Sequence, residues 1–184
     1  MANFEEAVKV VLKHEGKFND DPHDAGHATN YGISLRFLQL TNKDINADGA
    51  IDIKDILALD PFTAKKIYKE EWWNKHNYDL IKSQIIATKI FDLAVNMGAS
   101  QCHVLVQNAL NEVRKSTDSL YVVKVDGIFG PYSIAATNHL IQINKESQLL
   151  RQIKLNAGHF YSALALKRPN LKRFLNGWMY RTNA

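Results

Sequence analysis

The 184-residue sequence predicts a mainly α fold with a minor β-hairpin region, built as a single compact unit of two lobes. Three observations carry this. Apolar residues recur at helical spacing through most of the chain, while stretches suited to strands are few and short. Pro61, Gly98 and Pro169 stand where helices should start or stop rather than inside them. The chain is 46% apolar, which at this length supports one good core or two small helical lobes sharing an interface.

Taken in order, Asn3 and Glu6 form a capping arrangement for a first helix that runs to about His14, with Phe4, Val8, Val11 and Leu12 on one face. Residues 18 to 34 read as loop and short strand, because Pro22, Gly26 and Gly32 cannot continue a helix. Pro61 after Asp60 suits the first position of a new helix, which Ala64, Ile67, Tyr68, Trp72 and Trp73 continue. Residues 83 to 97 carry Ile86, Ile90, Leu93 and Met97 on one stripe, and Gly98 stops them. A helix over about 100 to 115 follows. Residues 117 to 130 are polar, then β-rich, then turn-forming; 131 to 143 and 145 to 168 are helical, and Pro169 breaks the pattern.

Glu15 follows Val11 by four residues, so its carboxylate sits where the apolar stripe leaves the core. Partial desolvation and the negative end of a helix both favour a protonated carboxyl, as a general acid requires. Asp24 lies nine residues on and Thr29 five beyond that, in a turning segment able to return them opposite Glu15. Glycoside hydrolysis uses one carboxylic acid to protonate the departing sugar oxygen and usually a second carboxylate opposite it. Asp24 suits the second role, and the Thr29 hydroxyl suits holding water. The plainer alternative makes Glu15 a solvated helix end, Asp24 a turn former and Thr29 a strand residue. Asn30 and Tyr31 flank this stretch as sugar-contact candidates. Trp73, with Trp72, Tyr68 and Trp178, is either a sugar platform or core.

Glu15-Gly16, Asn19, Pro22, Asp24-x-Gly26, Thr29 and Gly32-Ile33 together resemble the signature of glycoside hydrolase family 108. The resemblance continues through Ile67-Tyr68, Trp72-Trp73, Phe91-Asp92-x-Ala94-x-Asn96-x-Gly98, Val125-Asp126-Gly127-x-x-Gly130 and Gly177-Trp178. It implies a lysozyme-like fold and an N-acetylmuramidase that cleaves the β-1,4 bond between N-acetylmuramic acid and N-acetylglucosamine. Glu15, Asp24 and Thr29 would form its working group, without a catalytic cofactor. Lys17 and His27 depart from the family, which usually has glycine at both positions. The resemblance also implies a catalytic region over 1–97 and a helical, peptidoglycan-binding-like region over 98–184. Two rival readings are a lytic transglycosylase and a non-catalytic wall-binding or secretion-associated protein.

A second motif is independent of the first. Asp44, Asn46, Asp48, Gly49, Asp52 and Asp55 match a twelve-residue calcium loop at positions one, three, five, six, nine and twelve, with Ala50 offering its backbone carbonyl. The loop also resembles dockerin modules, which use Asp at position twelve. The expectation is a structural calcium clamp; the alternative is an Asp-rich turn ordered by its own backbone N–H groups. A zinc site at His23 and His27 is disfavoured, because Pro22 and Gly26 oppose the helix that would align them.

Composition narrows the setting. Cys102 is the one cysteine, so no internal disulfide forms. No stretch reaches the length of a membrane span and no signal peptide is visible. The expectation is therefore synthesis in the cytoplasm, then action on the cell wall of the periplasm or exterior after release, as for a phage endolysin, or export. The net charge of +4 favours polyanions, with Arg168, Lys172, Arg173 and Arg181 grouped near the C-terminus. No nucleic-acid motif accompanies them. Peptidoglycan is the expected partner, with no stable membrane insertion and a monomeric chain.

Overall fold

Helix α1 (Phe4–His14) forms where the spacing puts it, and Asn3 Oδ1 accepts from Glu6 N–H at 3.2 Å, satisfying one of the donors a helix start leaves open. Phe4, Ala7, Val8 and Val11 are its buried face. The computed structural model describes residues 1–15 and 28–184. The described chain forms two compact units, one of residues 8–71 and one of residues 1–7 with 72–184.

In the 8–71 unit, β1 (Thr29–Asn30) and β2 (Ile33–Ser34) form an antiparallel hairpin that pairs Thr29 with Ser34 and Asn30 with Ile33. Its two-residue loop has positive φ at both positions, +51° at Tyr31 and +75° at Gly32, as a turn matched to the twist of a hairpin requires. Ser34 then caps α2 (Leu35–Thr41) by accepting from Phe37 N–H, and Asn42 ends it in the left-handed conformation. Asp52 and Asp55 form a reciprocal capping box at the start of α3 (Ile53–Ala58). Asp60 caps α4 (Pro61–Tyr68) with Pro61 in its first turn, as the sequence predicts. Ile33, Leu38, Ile56, Ala64, Ile67 and Tyr68 are buried beneath these elements.

The second unit is a helical assembly of α5 (Gln84–Met97), α6 (Ala99–Arg114), α7 (Pro131–Gln142), α8 (Glu146–Lys167) and α9 (Leu175–Asn183). Its core begins with aromatic rings: Trp73 meets Phe4 at 5.7 Å, Phe91 at 5.4 Å and Tyr78 at 6.0 Å, all edge to face. The Phe91–Gly98 motif is spent on this unit. Phe91 belongs to the ring cluster, and Asp92, fully buried, accepts from Arg181 Nε at 2.9 Å. Asn96 accepts from the Tyr161 hydroxyl at 2.6 Å, and Gly98, at φ +89°, turns the chain from α5 into α6. Because Asp92 and Arg181 lie far apart in sequence, their ion pair ties α9 to α5; removing one partner would strand the other charge at a cost of about 3–5 kcal/mol.

The Asp126-Gly127 turn is held from α6. Gln107 Oε1 accepts from the N–H groups of Asp126 and Gly127 at 3.0 and 2.9 Å, and the buried His103 ring bonds the Gly127 carbonyl at 3.1 Å. A side chain at 127 would meet Ser100, its backbone oxygen at 3.0 Å, so the glycine is required there.

Three expectations change. Residues 117 to 130 contain no strand; Val123 N–H donates to Asn111 Oδ1 at 2.8 Å and the Val123 carbonyl accepts from Asn111 Nδ2 at 2.7 Å, so one side chain replaces a neighbouring strand. The helix expected to carry Trp72 and Trp73 onward from Pro61 widens into a π-helical turn over Lys69–Asn74. Beyond Pro169 the chain does not stop being helical: a 3₁₀ segment, Pro169–Phe174, leads into α9.

Candidate active site

Glu15 stands just past the last residue of α1, half-buried, its N–H still bonded to the Val11 carbonyl at 2.9 Å. The helix therefore fixes the backbone from which the carboxylate projects. The hairpin turn lies against it. A methyl group placed on Gly32 would stand 2.5 Å from Glu15 Cδ and 2.7 Å from Cγ, so only glycine leaves room for the Glu15 side chain in this position. The positive φ at Gly32 asks for glycine independently.

Two contacts hold the turn. The hydroxyl of Tyr68, a buried residue of α4, donates to the Tyr31 carbonyl at 2.7 Å. The Asn30 side-chain amide donates to the carbonyls of Ile56 and Leu59 at 3.1 and 3.3 Å. Asn30, chosen from sequence as a sugar contact, thus has its donor group engaged in anchoring the hairpin to the end of α3. Tyr31 is half-buried at the turn, and Thr29, also half-buried, begins the strand that supports it. Glu15 and the Thr29–Ser34 hairpin are therefore brought together. Asp24, with His23, His27 and Lys17, lies outside the described residues.

Trp73 is corrected. It is 2% exposed and enclosed by Phe4, Tyr78 and Phe91, so it packs the core and presents no face to a sugar. Trp178 stacks on Tyr161 with 5.0 Å between ring centroids. The parts that sequence reasoning missed are the Tyr68 clamp and the room Gly32 makes for Glu15. The two-residue Tyr31-Gly32 loop between Asn30 and Ile33 was a hairpin signal that pointed to the second.

The 44–55 loop is dense in internal hydrogen bonds. Asp44 accepts from Ala47 and Gly49 N–H at 2.7 and 2.8 Å, Asn46 from Asp48 N–H at 3.0 Å, and Asp48 from Ala50 N–H at 3.0 Å. Asp55, fully buried, accepts from Ile45 N–H at 2.6 Å and Asp52 N–H at 2.8 Å. Burial works against its charge, but the N–H groups of Asp52, Ile45 and Asn46 outweigh it and hold the carboxyl below its ordinary range. Lys54 Nζ lies 3.5 Å from Asp48 and 3.8 Å from Asp52. Among the described residues, no three His, Cys, Asp or Glu side chains are gathered closely enough to hold a metal ion.

With this geometry in place, residues 8–98 match the glycosyl hydrolase 108 model. The chain belongs to glycosyl hydrolase family 108. Residues 101–183 match a second model, described as a predicted peptidoglycan domain. Brucella abortus SagA has a similar solved structure, with 22% identity and a TM-score of 0.74 over 98% of this chain and 89% of that one. That likeness establishes the fold as the lysozyme-like, mainly α class expected from sequence. No curated protein sequence matches the chain. The family-108 chain is a glycoside hydrolase, and its two matched regions together support a peptidoglycan-degrading one that acts on the cell wall. No helix among its described residues is long and apolar enough to cross a membrane.

Proposed function

We propose that this peptidoglycan-degrading hydrolase is an N-acetylmuramidase in which Glu15 protonates the oxygen bridging N-acetylmuramic acid and N-acetylglucosamine. The observation that carries the reading is the half-buried Glu15 carboxylate at the end of α1, with the glycine of a two-residue hairpin turn lying against its side chain. A general acid must be held in one place before the substrate arrives, and a helix end on one side and a clamped turn on the other do this. Thr29, on the same hairpin, holds the attacking water together with Asp24, and Tyr31 contacts the sugar. The helical region that follows retains the enzyme on the wall.

Digestion of purified peptidoglycan followed by mass spectrometry of the fragments tests this. Reducing muramic acid ends are expected from the native chain. Glu15→Gln should lower their release by more than a hundredfold with an unchanged circular dichroism spectrum. Anhydromuramic ends would make the enzyme a transglycosylase; undiminished release by the variant would remove Glu15 from the reaction.

A separate proposal concerns the 44–55 loop, where calcium would act as a clamp and take no part in the chemistry. The residue pattern and the bend at Gly49, φ +89°, support it. Lys54 stands beside two of the carboxylates a cation would need, so calcium must displace an exposed lysine to enter.

A further inference from the structure

The charge of this chain is unevenly placed. Residues 147–184 contain seven Lys and Arg and no Asp or Glu, so this segment alone exceeds the net charge of +4 carried by the whole protein. Of these, Arg181 pairs with the buried Asp92, and Lys154 donates to the Asn183 carbonyl at 2.8 Å. Lys167, Arg168, Lys172 and Arg173 all lie exposed within one short stretch where α8 ends and the 3₁₀ segment runs. Apolar groups accompany them. Leu166 is 82% exposed and Phe174 42%, and the Arg173 guanidinium lies 4.7 Å from the centre of the Phe174 ring.

From this combination we infer that the 166–174 ledge docks the enzyme on an anionic lipid bilayer surface. Clustered cations next to anionic headgroups account for attraction, each contributing about fivefold in affinity. The apolar side chains favour a bilayer over a wall polymer or nucleic acid. Leu166 and Phe174 gain by entering the boundary between headgroups and acyl chains, and a hydrated polyanion offers them nothing comparable. The docking is peripheral and reversible, since no described helix can span. It is independent of the reaction at Glu15.

The test is cosedimentation of the full chain with vesicles of phosphatidylcholine alone, or with about a third phosphatidylglycerol, at low and high salt. Binding is expected only with the anionic lipid, and it should weaken as salt rises. A variant with Lys167, Arg168, Lys172 and Arg173 all changed to Gln should lose at least tenfold. Leu166→Ala with Phe174→Ala should lose several-fold with every charge retained. A control with Lys66, Lys69, Lys115 and Lys124 changed to Gln alters net charge equally outside the 166–174 segment and should lose several-fold less than the ledge variant, since cations that touch the headgroups count for more than net charge. Equal losses in control and ledge variants would overturn the inference, as would equal binding to both vesicle types. Binding to soluble teichoic acid or DNA, but not vesicles, unchanged by the two alanines, would replace the lipid with a polymer. All substituted side chains are exposed, and melting curves confirm that each variant is folded.

Discussion

A Cβ at position 32 would press on the Cδ and Cγ atoms of Glu15, not merely on the mobile tip of the side chain. Substitution there cannot be absorbed by a small adjustment. Gly32→Ala should therefore swing the carboxylate away from its present place and lower peptidoglycan turnover by at least tenfold. The positive φ adds about 1–2 kcal/mol of destabilisation. Both effects are separable by measuring kcat and denaturant midpoint on the same preparation; full activity in a destabilised variant would mean that the present Glu15 position is unimportant. Tyr68→Phe removes the bond to the Tyr31 carbonyl while keeping the buried ring, and should cost about 1 kcal/mol with a smaller loss of rate. Residue type and helix phase left Glu15 open between a general acid and a solvated helix end, and the family-108 signature around it made it the candidate. Its neighbour was not legible in sequence. That a glycine's missing Cβ faces a carboxylate seventeen residues away depends on how the chain returns, which local periodicity does not encode.

The long helices were legible because each repeats one apolar face over three or more turns, and Ser83, Asp60 and Gly98 mark ends by local chemistry. Shorter elements escaped. Helices α2 and α3 have seven and six residues, too few to establish a period, and α3 is announced only by its Asp52–Asp55 capping box. The β-branched run near Val122 and Val123 reads as strand, yet Asn111 supplies the partner bonds from the preceding helix, α6. For the 44–55 element the loop's own bonds set the expectation. Asp55→Ala leaves the N–H groups of Ile45 and Asp52 without their buried acceptor, and should destabilise the 8–71 unit by about 3 kcal/mol. Calcium, if it adds a clamp, should raise the melting temperature of the native chain, and EDTA should reverse the gain while leaving the rate at permissive temperature unchanged. Lys54→Ala should enlarge that gain by vacating the space beside Asp48 and Asp52. A melting curve indifferent to both reagents would leave the ordering to the hydrogen bonds alone.

At the scale of the whole molecule, a buried histidine links stability to pH. His103 is 1% exposed, and its Nε2 lies 2.7 Å from the Tyr78 hydroxyl while Nδ1 bonds the Gly127 carbonyl. The neutral ring with its proton on Nδ1 satisfies both: it donates to the carbonyl and accepts from the phenol. Burial, and secondarily the neighbouring His76, lower its pKa to about 4. An unfolded chain takes up this proton near pH 6.5, the folded one only near pH 4, so between these values the unfolded state binds more protons. Stability is therefore fully present above about pH 6.5, falls by about 1.4 kcal/mol per pH unit below it, and levels off under about pH 4. His76, whose pKa is also lowered by burial, acts with the same sign. The carboxyls held low, among them Asp55 and Asp126, lose their contribution only below their unfolded value near pH 4, so the window between pH 4.5 and 6.5 isolates the histidines. Urea midpoints across that window should slope steeply in the native chain and more shallowly in His103→Gln, whatever the variant's stability at pH 7. Parallel slopes would show that the proton is taken up elsewhere. Because the added proton enters at Nε2, where the Tyr78 hydroxyl donates, while the Nδ1–H bond to the Gly127 carbonyl is kept, protonation should loosen the Tyr78 side first, and hydrogen exchange at Leu80 and Ile81, whose N–H groups bond the carbonyls of Asn77 and Tyr78, should rise before exchange at Asp126 and Gly127 does.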